Sequence, residues 1–152
     1  MTNPLAPGSL SGKSALVTGS SRGIGADTVG LFSEAGARVV INYRDKEARA
    51  AKIRDGIVSA GGEAIIVGAD LTNPDDVSRM FSEAEAAFGK LNILVMNASG
   101  GMETSMGENY AMRLNRDAQV ALLTAAMPHL ADGARVVFVT SHQAHFIRTT
   151  PT

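Results

Sequence analysis

The residues best suited to chemistry in this chain fall in short runs, the first of which is Gly19-Ser20-Ser21-Arg22-Gly23-Ile24-Gly25. Glycine admits positive φ and lets main-chain amides approach a ligand closely. Where such a run opens a helix, the unpaired N–H groups of the first turn favour a diphosphate. A glycine trio alone serves a tight turn equally well; its place between a strand and a helix is what favours phosphate binding. Further polar or glycine-rich runs are Tyr43-Arg44, Asp70-Leu71, Asn97-Ala98-Ser99-Gly100-Gly101 and Ser141.

Each run follows a short apolar segment, at 14–18, 38–42, 64–68, 91–96 and 135–140. These segments are nearly continuous in apolar residues, as parallel strands buried on both faces are. Helical patterns alternate with them. Ile24, Thr28, Leu31, Phe32 and Ala35 share one predicted face, ahead of Gly36 for a left-handed cap. Residues 46–60 are charged and alanine-rich and stop at Gly61-Gly62. Asn73 can cap a third helix, with Pro74 at its first position and Asp75 and Asp76 suiting the positive end of the dipole. Its inner face is Val77, Met80, Phe81, Ala84 and Phe88, and Gly89 ends it. A fourth helix is expected over 110–130, ending at His129 beside Pro128. Strand and helix in alternation predict right-handed βαβ units: an α/β, Rossmann-type doubly wound parallel sheet of about five strands with helices on both faces. In such sheets ligands bind beyond the carboxyl ends of the strands, where strand order reverses. All the polar runs named above fall at that edge.

At 152 residues the chain suits one domain, expected over 13–152 behind a loose tail at 1–12 that holds Pro4, Pro7 and Gly8. An apolar share of 45% and a charged share of 19% exclude a disordered or fibrous chain. The net charge is −1 with scattered Arg and Lys, so neither nucleic acid nor an anionic membrane is an expected partner. The absence of cysteine excludes disulfides, thiolate catalysis and cysteine zinc sites and fits a reducing compartment, so the cytoplasm is expected. The first residues lack a basic start and an apolar core, unlike a signal peptide, and no apolar run reaches the roughly eighteen residues of a membrane span.

The G-x-x-x-G-x-G spacing in Thr18-Gly19-Ser20-Ser21-Arg22-Gly23-Ile24-Gly25 resembles the cofactor loop of short-chain dehydrogenases/reductases, and the likeness extends from Leu10 to Ser141. Asp70-Leu71 resembles the segment carrying that family's adenine-contacting acid. Asn97-Ala98-Ser99-Gly100 resembles a variant of its Asn-Asn-Ala-Gly motif, with Met96 in place of the first asparagine and Ser99 in place of the glycine. The resemblance implies a nicotinamide cofactor, and charge indicates which one. A carboxylate after the second strand would bond the ribose hydroxyls of NAD(H), whereas arginine pairs with the 2′-phosphate of NADP(H). Tyr43 stands at the acid's usual place, Arg44 follows it, and Arg22 lies in the glycine loop. Both arginines would also serve as solvated surface residues, and Asp45 could pair with Arg44. NADP(H) is the expected cofactor, with NAD(H) the less favoured one.

By the same resemblance, a carbonyl or alcohol substrate exchanges hydride with the nicotinamide while a tyrosine moves the proton. A lysine in Tyr-x-x-x-Lys tunes that tyrosine, a serine fixes the substrate oxygen and an asparagine supports a water relay. Ser141 matches the serine and Asn115 the asparagine. Their alternatives are a hydroxyl closing a strand end and a structural helix asparagine. Neither Tyr43 nor Tyr110 has lysine four residues on, and no lysine follows Lys90. The family's tyrosine follows the serine by a dozen residues or more, past Thr152. The chain is therefore expected to be part of a longer reductase, to show little or no turnover by itself and, with its last strand edge unpaired, to be poorly soluble. A monomeric, cooperatively folded and active sample would contradict that expectation.

His142 and His145 lack a third ligand and are read as loop residues, so no metal is expected. Met102 and Met106 are candidates for a loop over the substrate. Family members are often homodimers or homotetramers, and such an assembly is expected here. Two alternatives stand beside the enzyme. One is a non-catalytic NADP(H)-binding module or redox sensor, which lacks Tyr-x-x-x-Lys; the other is a structural α/β domain, which would bind neither nucleotide.

Overall fold

The computed structural model of the chain describes residues 2–98 and 116–140. Its elements alternate as the hydrophobic periodicity predicts: β1 (Ser14–Val17), α1 (Gly23–Glu34), β2 (Arg38–Tyr43), α2 (Glu47–Ser59), β3 (Ala64–Gly68), α3 (Pro74–Phe88), β4 (Leu91–Met96), α4 (Ala118–Ala126) and β5 (Leu130–Phe138). All strand pairs are parallel, in the order β3-β2-β1-β4-β5. The chain winds outward from β1 through β2 to β3, then crosses back to place β4 on the other side of β1. The strand order reverses there, so the crevice expected to hold a ligand opens where β1 and β4 end.

Two apolar layers cover the sheet. On one face Val29 of α1 and Ala50 and Ile57 of α2 pack with Ala15, Val17, Val39 and Ile41. On the other, Val77, Met80, Phe81 and Ala84 of α3 and Leu122 and Ala126 of α4 pack with Leu16, Val40, Leu91 and Leu94. The start of α3 is built as its sequence reads: Asn73 Oδ1 accepts the Asp75 and Asp76 amides at 3.0 and 3.4 Å, with Pro74 in the first turn. Gly36, at φ +100°, follows α1 as a left-handed stop. Residues 2–12 form turns tied to the end of α1, where Asn3 Nδ2 donates to Leu31 O and the Leu10 amide donates to Ala35 O, both at 2.9 Å.

Several expectations need correction. On α1, Phe32 and Ala35 face the core as expected, but in the first turns the buried positions are Gly25 and Val29, and Ile24 is 69% exposed. Gly25 abuts the glycine loop, which leaves Ile24 beside it on the outside. The fourth helix is interrupted at Pro128, which has no amide to donate, and Met127–His129 continues as a 3₁₀ turn. β5 starts at Leu130 instead of 135, because Leu130 pairs with Leu91 before an irregularity that restores pairing at Arg135. Gly133, at φ +73°, lies inside that irregularity. Finally, β1 is buried throughout, but Val136, Val137, Phe138 and Val139 at the β5 edge are 40–50% exposed.

Candidate functional site

Beyond Val17 the chain turns through Thr18 and Ser20, both fully buried. Burial obliges their hydroxyls to find partners. Thr18 Oγ1 accepts the amides of Asn97 and Ala98 at 2.9 and 3.0 Å, joining the β1 exit to the β4 exit. Asn97 Nδ2 donates back to Thr18 O at 3.2 Å and Gly19 O at 3.3 Å. On the other side, Ser20 Oγ donates to Val17 O at 2.7 Å and accepts the Asn42 amide at 3.0 Å. Asn42 Oδ1 accepts the Gly19 amide at 2.9 Å, while its Nδ2 donates to Val67 O at 3.3 Å. One loop is thereby tied to the ends of β2, β3 and β4.

The loop leads into a helix start with no plug. Arg22 is the N-cap residue and makes no side-chain cap bond, and the first turn carries no acid. The Ala26 amide bonds Arg22 O at 3.2 Å, so the N–H groups of Gly23, Ile24 and Gly25 have no intrahelical acceptor. Gly19 and Gly23 adopt φ +62° and +57°, the left-handed region where glycine is favoured. Gly25 is required by space: a Cβ there would lie 2.6 Å from Gly19 O, 2.7 Å from Asn97 Nδ2 and 2.8 Å from Ser20 Cα. The close fit holds three amides beside the strand exit, an arrangement suited to a diphosphate.

Beside this loop, Tyr43, Arg44, Asp45, Gly68, Ala69, Asp70 and Asp76 line an open cleft of about 460 Å³ at the ends of β2 and β3. Tyr43 is the last residue of β2 and lies over Gly68, where a Cβ would be 3.0 Å from its ring. Burial and the neighbouring Glu47 carboxylate push its phenol above the ordinary value. Arg44 Nε pairs with Asp45 Oδ2 at 2.6 Å on the cleft wall, an exposed pair of the kind that exchanges partners at little cost. Asp70 Oδ1 accepts from the Thr72 amide and hydroxyl at 2.9 and 2.7 Å. Leu71 is 7% exposed and packs in the core below α3, which leaves only its main chain to serve a ligand.

Among the described residues, the structure brings Thr18, Gly19, Ser21, Arg22, Gly23, Ile24, Gly25, Asn97 and Ala98 to the β1–β4 crevice and Tyr43, Arg44 and Asp70 to the adjoining cleft. Ser99, Gly100, Asn115 and Ser141 lie outside the described residues, as do Met102, Met106, His142 and His145. His129 bonds Glu85 through Nδ1 and stacks on Phe81 with centroids 5.8 Å apart. That bond holds the Glu85 carboxyl below the ordinary carboxylate range. Sequence reasoning missed Asn42 and Gln119, and gave Ser20, inside the glycine run, no role of its own. The available signal for Asn42 was a polar residue closing an otherwise apolar, two-face-buried strand. Gln119, 5% exposed on α4, donates through Nε2 to Ala98 O at 3.2 Å, a contact between distant segments that no local pattern announces.

The sheet, its reversed strand order and the glycine-lined helix start define a doubly wound α/β domain of the Rossmann type. The profile of the family described as short chain dehydrogenase matches residues 13–150, and the chain belongs to that family. It is 39% identical over 145 residues to a hydroxynaphthalene reductase-like protein of Metarhizium majus, covering 91% of this chain and 54% of that protein. It is 36% identical over 141 residues to versicolorin reductase of Emericella nidulans, covering 89% and 53%. A short chain dehydrogenase from Burkholderia cenocepacia, solved in complex with NADP, superimposes with a TM-score of 0.78 at 34% identity, covering 93% of this chain and 60% of that one. The chain thus spans about half the length of these curated relatives. Among the described residues, no helix is long and apolar enough to cross a membrane.

Proposed function

We propose that this chain is the NADP(H)-binding part of an oxidoreductase that exchanges hydride between nicotinamide and a small carbonyl or alcohol substrate. The observation that carries the reading is the cradle at Gly25, which brings a bare helix start against the β1 exit and leaves no space for a side chain. When bound, the cofactor would supply the nicotinamide that accepts or donates the hydride. The residues of this chain bind and orient it. The amides at 23–25 face the diphosphate, Asp70 accepts from the adenine amino group, and Arg44 with Arg22 holds the 2′-phosphate. Asn97 and Ala98, fixed by Thr18, shape the nicotinamide side together with Ser99 and Gly100. Ser141 is the residue proposed to hold the substrate oxygen, and Asn115 the one proposed to support proton relay. The relative solved with NADP supports the cofactor assignment.

Titration of NADPH and NADH tests the reading. Arg44→Asp should weaken NADPH binding by at least about tenfold more than NADH binding, because a bidentate arginine–phosphate pair is replaced by like-charge repulsion. Equal losses for the two nucleotides would remove the argument for NADP(H). A second reading is an NADP(H)-binding module without catalysis, which would lack Tyr-x-x-x-Lys. Reading the encoded sequence past Thr152 for that motif separates the two. A homodimer or homotetramer in the cytoplasm remains the proposed setting. Val120 and Leu123 on α4 and Met127 just past its end, exposed by 68%, 38% and 62%, support an assembly.

A further inference from the structure

We propose that Asp76 and Arg79, on the first two turns of α3, are positioning residues that set the selectivity of the cleft for adenine over other purines, through their grip on the segment that carries Asp70. The proposal rests on the reading of this cleft as the adenine end of the cofactor site.

The peptide groups of 68–70 are each held. Gly68 O accepts from Arg79 Nη2 at 2.7 Å, the Ala69 amide donates to Tyr43 O at 2.9 Å, and the Asp70 amide donates to Asp76 Oδ2 at 2.9 Å. Arg79 also reaches Asp76 Oδ1 at 3.4 Å and Glu83 Oε1 at 3.0 Å. Helix capping does not account for Asp76, because Asn73 already takes the first free amides of α3, and the Asp76 carboxylate reaches back to a residue outside the helix. The bond from the Asp70 amide holds the Asp76 carboxyl below the ordinary carboxylate range, with Arg79 assisting and partial desolvation opposing, so it stays ionised at neutral pH. With its peptide fixed and Oδ1 taken by Thr72, Asp70 has, among the described residues, Oδ2 left for a ligand. The amino group of adenine donates to such an oxygen. Hypoxanthine carries a carbonyl oxygen at that position and would face the carboxylate lone pair to lone pair. Discrimination then depends on Asp70 being unable to turn away.

The test compares NADPH with its hypoxanthine analogue, deamino-NADPH, by fluorescence titration of the full chain, alongside thermal unfolding. The unaltered protein should prefer NADPH. Asp76→Ala should narrow that preference by about tenfold, mostly through weaker NADPH binding. Asp76→Asn, whose carboxamide oxygen can still accept the Asp70 amide, should keep most of it. A purely structural role would instead weaken both nucleotides by the same factor, and an unchanged ratio in Asp76→Ala overturns the proposal while leaving the cofactor reading intact. Failure of the unaltered protein to bind either nucleotide overturns both.

Discussion

Gly25→Ala is expected to weaken NADPH binding by about a hundredfold and to lower the unfolding temperature. The added methyl would sit 2.6 Å from Gly19 O and 2.8 Å from Ser20 Cα, both main-chain atoms, and 2.7 Å from Asn97 Nδ2. The two main-chain atoms cannot yield independently. Gly19 is held by Asn42 and Ser20 by both Val17 and Asn42, so relief requires α1 to back away from the β1 exit. That movement withdraws the three helix-start amides from the place where the diphosphate would lie, and short, directional bonds to an anion weaken steeply with such displacement. Gly30→Ala on the same helix is the control. Nothing lies within 4 Å of its Cβ position, so it should be neutral or slightly stabilising through reduced chain entropy. Nucleotide titration and thermal melts of the two variants check the contrast; similar behaviour would show that the cradle does not depend on contact at residue 25.

Asn42→Ala should lower stability by roughly 3 kcal/mol, since a buried polar group stripped of its partner costs about 1–3 kcal/mol and this substitution strips more than one. Asn42 is 2% exposed. Its removal leaves the Gly19 amide without an acceptor and Val67 O without the Nδ2 donor. The effect should also reach function, because Gly19 leads the loop whose left-handed turn delivers the chain to Arg22. NADPH affinity should therefore fall together with the denaturation midpoint. Chemical denaturation combined with titration checks both, and a variant that loses neither would show the bonds to be replaceable by water.

The two variants probe different origins of one site. Gly25 stands out in the sequence because its spacing from Gly19 and Gly23 belongs to a local motif, and local motifs are legible: a turn followed by a helix start involves neighbours in the chain. In the sequence Asn42 reads only as the end of an apolar run, because its partners at residues 19 and 67 become neighbours only when the sheet has formed. Asp76 falls between. Its place in the first turn of α3 suits the helix dipole and is legible locally, yet its bond to the Asp70 amide depends on how the β3–α3 connection folds back.

Periodicity and punctuation by themselves determined the order of elements, the parallel sheet, the start of α3 at Asn73 and Pro74, and the edge of the sheet where polar residues gather. These follow from interactions within a few residues and from the need of each apolar face for cover. Only the tertiary structure decided which residues in the first turns of α1 face inward, the early start of β5, the burial of the Leu71 side chain, and the web through Thr18, Ser20, Asn42 and Asn97. Each depends on atoms far apart in the chain competing for the same space or the same hydrogen bond, and no local pattern encodes the outcome of that competition.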